Sequence, residues 1–494
     1  MNIKEAKDYI KDTVSAYLKK DEFGDYRISV EKQRPIFLLG APGIGKTAIM
    51  SQIAEELGIA LVSYSMTHHT RQSALGLPFI REKKYGDDTV SVSEYTMSEI
   101  IASIYDTMEE SGVNEGILFL DEINCVSETL YPSMLQFLQY KVFGKHAVPG
   151  GWVIVTAGNP PEYNKAVREF DVVTLDRLKV IKVEADYPAW KAYASQRAVH
   201  GAVTGFVESN RESFYKVETT AYGKNYVTAR GWEDLSDMIK LYEEDGKSVT
   251  DTLVGQYITD EKVVKDFSAY YDLYNKYKKQ YDVETVFGAS LSEETVKAAS
   301  SAPVDERLAL TGLLFDTLKT EIRDILGVHR MLVQIRPGVS SVAAADEAEA
   351  AGKLDALIEA SKSLIAKKSR AGSLSGSEKT HNKRIARFYT DAKKRIADGE
   401  TIKDVYNEKI TALRADVERE LKRMDNLFDG MDRMFGAESN EMLVLVTELT
   451  LNADAAEFLS DFRSDSYERY NSVLKVGDRA ENLKKEIDRL EELR

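Results

Sequence analysis

Two spacings of apolar residues divide the chain. Up to about residue 185, short continuous apolar runs alternate with segments in which apolar residues recur every three or four positions. Continuous runs joined by helices are typical of buried parallel strands with crossover helices. The runs lie at 35–39, 60–65, 116–120, 151–157 and 178–183. The pattern predicts a doubly wound α/β domain at 21–185, preceded by an amphipathic N-terminal helix at 1–20.

The α/β pattern is interrupted twice. Residues 78–93 and 140–152 alternate apolar and polar side chains around glycine-containing turns, which predicts two inserted β-hairpins. Each inserted hairpin is a candidate device for contacting another molecule.

Helical spacing dominates after residue 185. We predict a helical lid domain at 186–335, a linker rich in Gly, Ser and Ala at 336–352, and a helical C-terminal extension at 353–494. Within the extension, 402–427 and 473–493 have the apolar spacing and mixed charges of paired helices or a short coiled coil.

Charge and cysteine content narrow the class of protein. The chain has 66 Lys and Arg against 81 Asp and Glu, a net charge of −15, which repels polyphosphate over most of the surface. Its single cysteine, Cys125, cannot form an intramolecular disulfide, and no apolar run approaches the roughly 20 residues that span a bilayer. The start of the chain lacks the apolar run of a signal peptide. We therefore expect a cytoplasmic protein with no membrane span that is not dedicated to binding duplex DNA.

A phosphate-binding motif follows the first apolar run. The segment fits the pattern G-x-x-x-x-G-K-[ST] and consists of Gly40, Ala41, Pro42, Gly43, Ile44, Gly45, Lys46 and Thr47. The glycines let backbone N–H groups turn toward phosphate oxygens, and the following helix adds the positive end of its dipole. Lys46 can reach the terminal phosphates, while the Thr47 hydroxyl can bind Mg²⁺. A turn that merely caps a helix would explain neither residue.

Two further apolar runs end in polar side chains. The run at 116–120 is followed by Asp121 and Glu122, which suit a magnesium-binding carboxylate and a group that activates the attacking water. The run at 151–157 leads to Asn159, which could orient the same water. Because carboxyl ends of parallel strands form the ligand-binding edge of such sheets, these side chains are expected to meet there.

With these elements in this order, the sequence resembles the AAA+ ATPases over residues 1 to about 330. Within them it is similar to the MoxR-like, dynein-related members that carry a hairpin inserted in helix 2 and another before sensor 1. The resemblance implies an AAA+ core with a helical lid, ATP and Mg²⁺ as cofactors, and hydrolysis of ATP to ADP and phosphate. It gives the Walker A role to residues 40–47, the Walker B role to Asp121 and Glu122, and the sensor 1 role to Asn159.

The resemblance also implies roles for arginines. Arg177 resembles the arginine finger that enters a neighbouring subunit's site, and Arg230, at the start of a lid helix, resembles sensor 2. Arg168 is a rival for the finger, and Leu178 stands where many members have Phe. The stretch 65–78 is similar to one bacterial branch of the group and receives no role from its sequence.

The implied function is mechanical. MoxR-like proteins resemble ring-forming chaperones, usually hexameric, that remodel or activate a protein partner, commonly one with a von Willebrand factor A domain. A nucleic-acid motor is the alternative, because residues 362–395 hold eleven Lys or Arg against Glu378 and Asp391. Apart from Phe388 and Tyr389 this stretch has few aromatic residues, which favours a solvated basic face. A GTP-using restriction-type motor also stays open, since the glycine loop does not encode the base.

Overall fold

The chain divides into two compact units in a computed structural model. The structure describes residues 1–68, 72, 74, 76–86, 88–143, 145–164, 167–197, 199–220, 223–281, 283–370 and 376–473. One unit combines Met1–Ala189 with Asp355–Tyr389, and the other combines Trp190–Leu354 with Thr390–Arg494.

Most strands belong to the first unit. In chain order the strands are β1 (Ile36–Gly40), β2 (Ala60–Ser65), β3 (Pro78–Tyr85), β4 (Asp88–Tyr95), β5 (Gly116–Asp121), β6 (Val142–Phe143), β7 (His146–Ala147), β8 (Trp152–Gly158), β9 (Lys179–Val183), β10 (Lys216–Thr220) and β11 (Gly223–Val227). Five of them form a parallel sheet in the order β2-β5-β8-β1-β9. This sheet confirms the predicted doubly wound α/β core.

The helices account for most of the remaining chain. Those that begin before residue 190 are α1 (Ile3–Tyr17), α2 (Lys46–Leu57), α3 (Glu99–Ser111), α4 (Tyr131–Tyr140), α5 (Val172–Asp176) and α6 (Tyr187–Gln196). The later ones are α7 (Gly201–Ser209), α8 (Ala229–Glu244), α9 (Asp251–Val254), α10 (Glu261–Gln280), α11 (Val283–Phe287), α12 (Glu293–Ser300), α13 (Val304–Ala343), α14 (Glu347–Arg370), α15 (Gly376–Ala397), α16 (Ile402–Phe435), α17 (Asn440–Leu451) and α18 (Ala453–Phe462). No helix in this described part of the chain combines the length and apolar character needed to cross a membrane.

Burial explains why the sheet strands have continuous apolar sequences. Every residue of β8 is buried, and the four residues 117–120 of β5 have no exposed surface. A strand covered on both faces has no solvent side on which polar residues could alternate. Helix α2 ends where Gly58 adopts a left-handed conformation with φ of 66°, as glycine does at helix C-termini.

Both predicted inserted hairpins are confirmed. Strands β3 and β4 pair antiparallel along their whole length, and β6 pairs with β7 over two residues. A third hairpin, β10–β11, lies where the sequence predicted only helix. Its strands have five residues each, too few for the alternation to stand out against the surrounding helical spacing.

Most of the predicted linker at 336–352 is helical. Helix α13 continues to Ala343 and α14 begins at Glu347. Val339 and Val342 are buried, so this Ala- and Ser-rich stretch has an apolar side that packs as helix.

Most of the predicted lid and most of the predicted extension lie in the second compact unit, whereas Asp355–Tyr389 of the extension belongs to the first. In the second unit, the Arg423 guanidinium on α16 binds the Glu321 carboxylate on α13 at 2.9 and 3.0 Å, and the Tyr406 hydroxyl donates to the Leu332 carbonyl at 3.0 Å. The predicted helix at 402–427 lies within α16, whereas the one at 473–493 falls outside the described residues after Val473. As functional domains, the predicted boundaries stay a prediction.

Candidate functional site

The glycine loop at 40–47 joins β1 directly to α2. Gly43 and Gly45 have φ values of 74° and 96°, a region that residues with a Cβ rarely adopt. At Gly40 a Cβ would lie 2.6 Å from the Val183 carbonyl oxygen of β9, so only glycine fits there. The loop therefore ends at the N-terminus of α2, where free N–H groups favour an anion.

Lys46 is held inside the loop. Its side chain is buried, and its Nζ donates to the carbonyl oxygens of Gly40 at 2.8 Å and Ala41 at 2.7 Å. The same Nζ donates to Asn159 Oδ1 at 2.8 Å. Because β8 lies beside β1, the residue that follows β8 reaches the lysine, and the structure brings these two predicted site residues together.

Thr47 and Asp121 are also in contact. The Thr47 hydroxyl donates to Asp121 Oδ2 at 2.9 Å. A hydroxyl and a carboxylate are oxygen ligands of the kind that Mg²⁺ prefers, and Mg²⁺ usually takes one or two such protein groups together with phosphate and water oxygens. This donor pair fits a nucleotide-bound magnesium ion.

Glu122 is held on the β2 side of β5. Its Oε2 accepts hydrogen bonds from Ser65 Oγ at 2.9 Å and Thr67 Oγ1 at 3.0 Å. Glu122 itself has φ of 56° and ψ of 34°, a left-handed conformation that is uncommon outside glycine. The Glu122 carboxylate thus contacts the end of β2, whereas Asn159, after β8, meets Lys46.

Ser65 and Thr67 were missed by sequence reasoning about the site. Ser65 is the last residue of β2 and Thr67 follows two positions later, the same placement relative to a strand that identified Asp121 and Asn159. That rule was the available signal, and the contact gives a structural role to the start of the stretch 65–78.

Asn124 is a second missed residue. It is buried, and its Nδ2 donates to the Asn159 carbonyl oxygen at 2.9 Å. A Cβ on Gly158 would clash with the Asn124 side chain, so glycine at that position permits the contact. Asn124 therefore fixes the backbone that carries the Asn159 amide, and nothing in its sequence setting predicted this.

The three candidate arginines have different surroundings. Arg177 follows α5 and is exposed, and within the described residues its side chain forms no ion pair. Arg168 is bound by the Glu128 carboxylate and lies 5.9 Å from the centre of the Tyr131 ring. Arg230 is exposed in the first turn of α8, in the second compact unit. Arg177 is thus better placed than Arg168 to reach another molecule.

A comparison with protein families agrees with this geometry. Residues 36–174 match the family described as ATPase family associated with various cellular activities (AAA). The match extends from β1 into α5 and covers the glycine loop, Asp121, Glu122 and Asn159. Among curated proteins, none matches this chain. The domain match supports an AAA+ ATPase and, in general terms, nucleotide binding with hydrolysis of ATP.

Proposed function

We propose that this protein is a Mg²⁺-dependent ATPase of the MoxR-like AAA+ type that forms a ring and remodels a protein partner. The observation that carries the proposal is the meeting of Lys46, Thr47, Asp121 and Asn159 at one edge of the sheet, with Glu122 beside them. These are the groups that phosphoryl transfer to water requires.

Each group has a definite task in the proposed reaction. Lys46 balances charge on the terminal phosphates, and Thr47 with Asp121 would hold magnesium, which would neutralise charge on the nucleotide. Glu122 accepts a proton from the attacking water, and the Asn159 amide orients that water. Catalysis is then positioning and electrostatics on a preformed edge.

Two substitutions test the ATPase assignment. Lys46→Ala should lose ATP binding, because the loop loses its buried cation. Glu122→Gln should still bind ATP but hydrolyse it at least ~100-fold more slowly, since the amide cannot accept the proton. Fluorescent-nucleotide binding and phosphate release measure the two steps separately. Glu109→Gln, at an exposed position of α3, is the matched control, and unchanged turnover in Glu122→Gln would refute the assignment.

Arg177 supports the proposal that the site is completed by a neighbouring subunit. Beside it, Val172 and Val173 are 81% and 60% exposed, an apolar surface suited to a subunit contact. An arginine supplied in trans requires a head-to-tail ring, and a hexamer is the proposed form.

Mixing of inactive variants tests assembly. Specific activity should rise with protein concentration, and mixing Arg177→Ala with Lys46→Ala should restore some turnover. A mixed interface can pair an intact loop from one subunit with an intact arginine from the other. Concentration-independent turnover by a sedimenting monomer would contradict a trans role.

The proposed partner is a protein, with a von Willebrand factor A domain as the leading candidate. Ile80 and Tyr85 on the β3–β4 hairpin are 79% and 59% exposed, which suits contact with a polypeptide. On α15, the aromatic residues of the basic stretch, Phe388 and Tyr389, are 5% and 3% exposed and so cannot stack on bases. This burial supports a protein partner over single-stranded nucleic acid.

A trapping experiment distinguishes the partner classes. Glu122→Gln loaded with ATP should retain the partner, and ADP should release it. Stimulation of wild-type turnover by single-stranded DNA or RNA would instead support a nucleic-acid motor, and competition by GTP at equal concentration would support the restriction-type alternative.

A further inference from the structure

Glu94 connects the two inserted hairpins. It lies on β4, is 8% exposed, and its Oε1 accepts a hydrogen bond from Lys145 of the β6–β7 turn. The same oxygen lies 2.7 Å from Nζ of Lys83, which belongs to β3 of its own hairpin. A second link between the hairpins runs parallel, with His146 Nε2 3.4 Å from the Tyr95 carbonyl oxygen.

The contact is ionic at physiological pH. Hydrogen bonds from Lys145 and Lys83 lower the pKa of Glu94 to about 2, so the carboxylate stays charged. A carboxylate that accepts from two ammonium groups is held in a fixed direction. The two hairpins are therefore joined by a charged side-chain contact and by the contact of the His146 ring with the Tyr95 carbonyl oxygen.

Each joined hairpin has a different attachment to the core. The base of β3–β4 is closed where the Thr96 amide donates to the Leu77 carbonyl at 2.9 Å. Gly76, with φ of 87°, approaches the Thr96 carbonyl too closely for any Cβ. Beyond that base, strands of eight residues extend about 26 Å. The hairpin is thus a long arm, and Glu94, which pairs with Phe79, lies at the base of that arm.

The β6–β7 hairpin leads directly to the candidate site. The Val148 amide donates to the Lys141 carbonyl at 2.9 Å, which closes the hairpin. The chain then enters β8, whose seven residues are all buried, and emerges at Asn159. The β6–β7 hairpin and Asn159 thus lie toward opposite ends of one buried strand, and a densely packed interior transmits displacement.

We propose that Glu94 is a positioning residue that, through Lys145, couples the β3–β4 hairpin to Asn159. A polypeptide that moves the arm would thereby shift the amide that contacts Lys46 and change the rate of hydrolysis. The inference rests on the proposed ATPase function and adds to it the path by which partner contact reaches the site.

Lys83 and Lys145 give a matched pair of variants in the full-length chain. Both contact the same oxygen of Glu94, but only Lys145 crosses between hairpins. Lys145→Met should lower kcat for ATP at least ~5-fold with KM within about twofold, whereas Lys83→Met should keep kcat within about twofold. Lys145→Arg should retain most of the activity, because the charged contact survives.

A double substitution and a stability measurement complete the test. The double variant Glu94→Gln, Lys145→Met should have a kcat no lower than that of either single variant, because each single substitution already removes the same contact. Equal effects of Lys83→Met and Lys145→Met, or loss of kcat that follows a lowered Tm, would overturn the coupling. A wild-type chain without ATPase activity would refute the proposed function itself. If wild type and Lys145→Met are both fully active, only the coupling is refuted.

Discussion

Removal of the Ser65 and Thr67 hydroxyls should accelerate hydrolysis. Both donate to Glu122 Oε2, at 2.9 and 3.0 Å, and both lie on the β2 side of β5. The nucleotide loop lies on the other side, because β8 and then β1 follow β5 in the sheet. We therefore expect these bonds to hold the proposed base away from the attacking water.

The size of the effect follows from the two bonds. A hydrogen bond to a charged acceptor contributes about 1.5–3 kcal/mol when buried, and about 1 kcal/mol is suitable for the half-exposed Glu122. Losing both bonds removes about 2 kcal/mol, which changes the ratio of released to retained carboxylate about 30-fold. Ser65→Ala or Thr67→Val alone should raise kcat about fivefold, and the pair up to about 30-fold.

The assay is steady-state phosphate release at saturating ATP and Mg²⁺. Affinity for ATP, measured separately, should stay within about twofold, because neither hydroxyl touches the glycine loop. Ser63→Ala, an exposed position on the same strand, is the control. A fall in kcat in the double variant would refute the argument, as it would mean that the bonds hold Glu122 in its working position.

Three further outcomes are expected. Gly158→Ala should lower kcat about tenfold with little change in ATP affinity, because its Cβ displaces Asn124 from the backbone of residue 159; normal kinetics would contradict that contact. Arg177→Ala should abolish concentration-dependent turnover while Arg168→Ala, whose guanidinium is already paired with a carboxylate, keeps most of it; the reverse result would exchange their roles. Burial, with a neighbouring carboxylate, raises the pKa of Glu420 to about 8. The protonated form of Glu420 stabilises the fold at low pH, and this contribution is lost as the pH rises through 8. The urea midpoint of Glu420→Gln should therefore rise relative to that of wild type between pH 5.5 and 8.5. A difference that does not change with pH would contradict this.

The polar residues that follow the strands were predictable from the sequence, because the ends of parallel strands have a known place in the fold. Asp121 and Asn159 follow runs with no polar interruption, and parallel strands bring such ends to one edge. Lys46 and Thr47 come with a spacing that fixes their place on the loop and helix. The sheet and this part of the site were therefore recoverable from pattern alone.

Other contacts depend on geometry that no local pattern contains. Glu94 and Lys145 are 51 positions apart and meet only through the register of two hairpins. The Glu122 contacts with the β2 end require knowledge of which strand neighbours β5. At 336–352, composition suggested a linker, but the buried side chains of Val339 and Val342 stabilise a helix. Tertiary packing there outweighs the low helix propensity of Gly and Ser.

The strand order also explains why polar side chains lie on both sides of Glu122. Ser65 and Thr67 form one set of contacts, and Lys46 with Asn159 forms the other. Adjacent strands are about 4.8 Å apart, so the three steps from β2 through β5 and β8 to β1 cover about 14 Å. Glu122 binds hydroxyl groups toward β2, whereas Asn159 binds Lys46 toward β1. In the proposed mechanism Glu122 and Asn159 act on the same water, so we expect one set of contacts to loosen before the two residues cooperate. Because β8 connects Asn159 to the β6–β7 hairpin, the proposed coupling would let a partner act on the Asn159–Lys46 contact without touching the nucleotide.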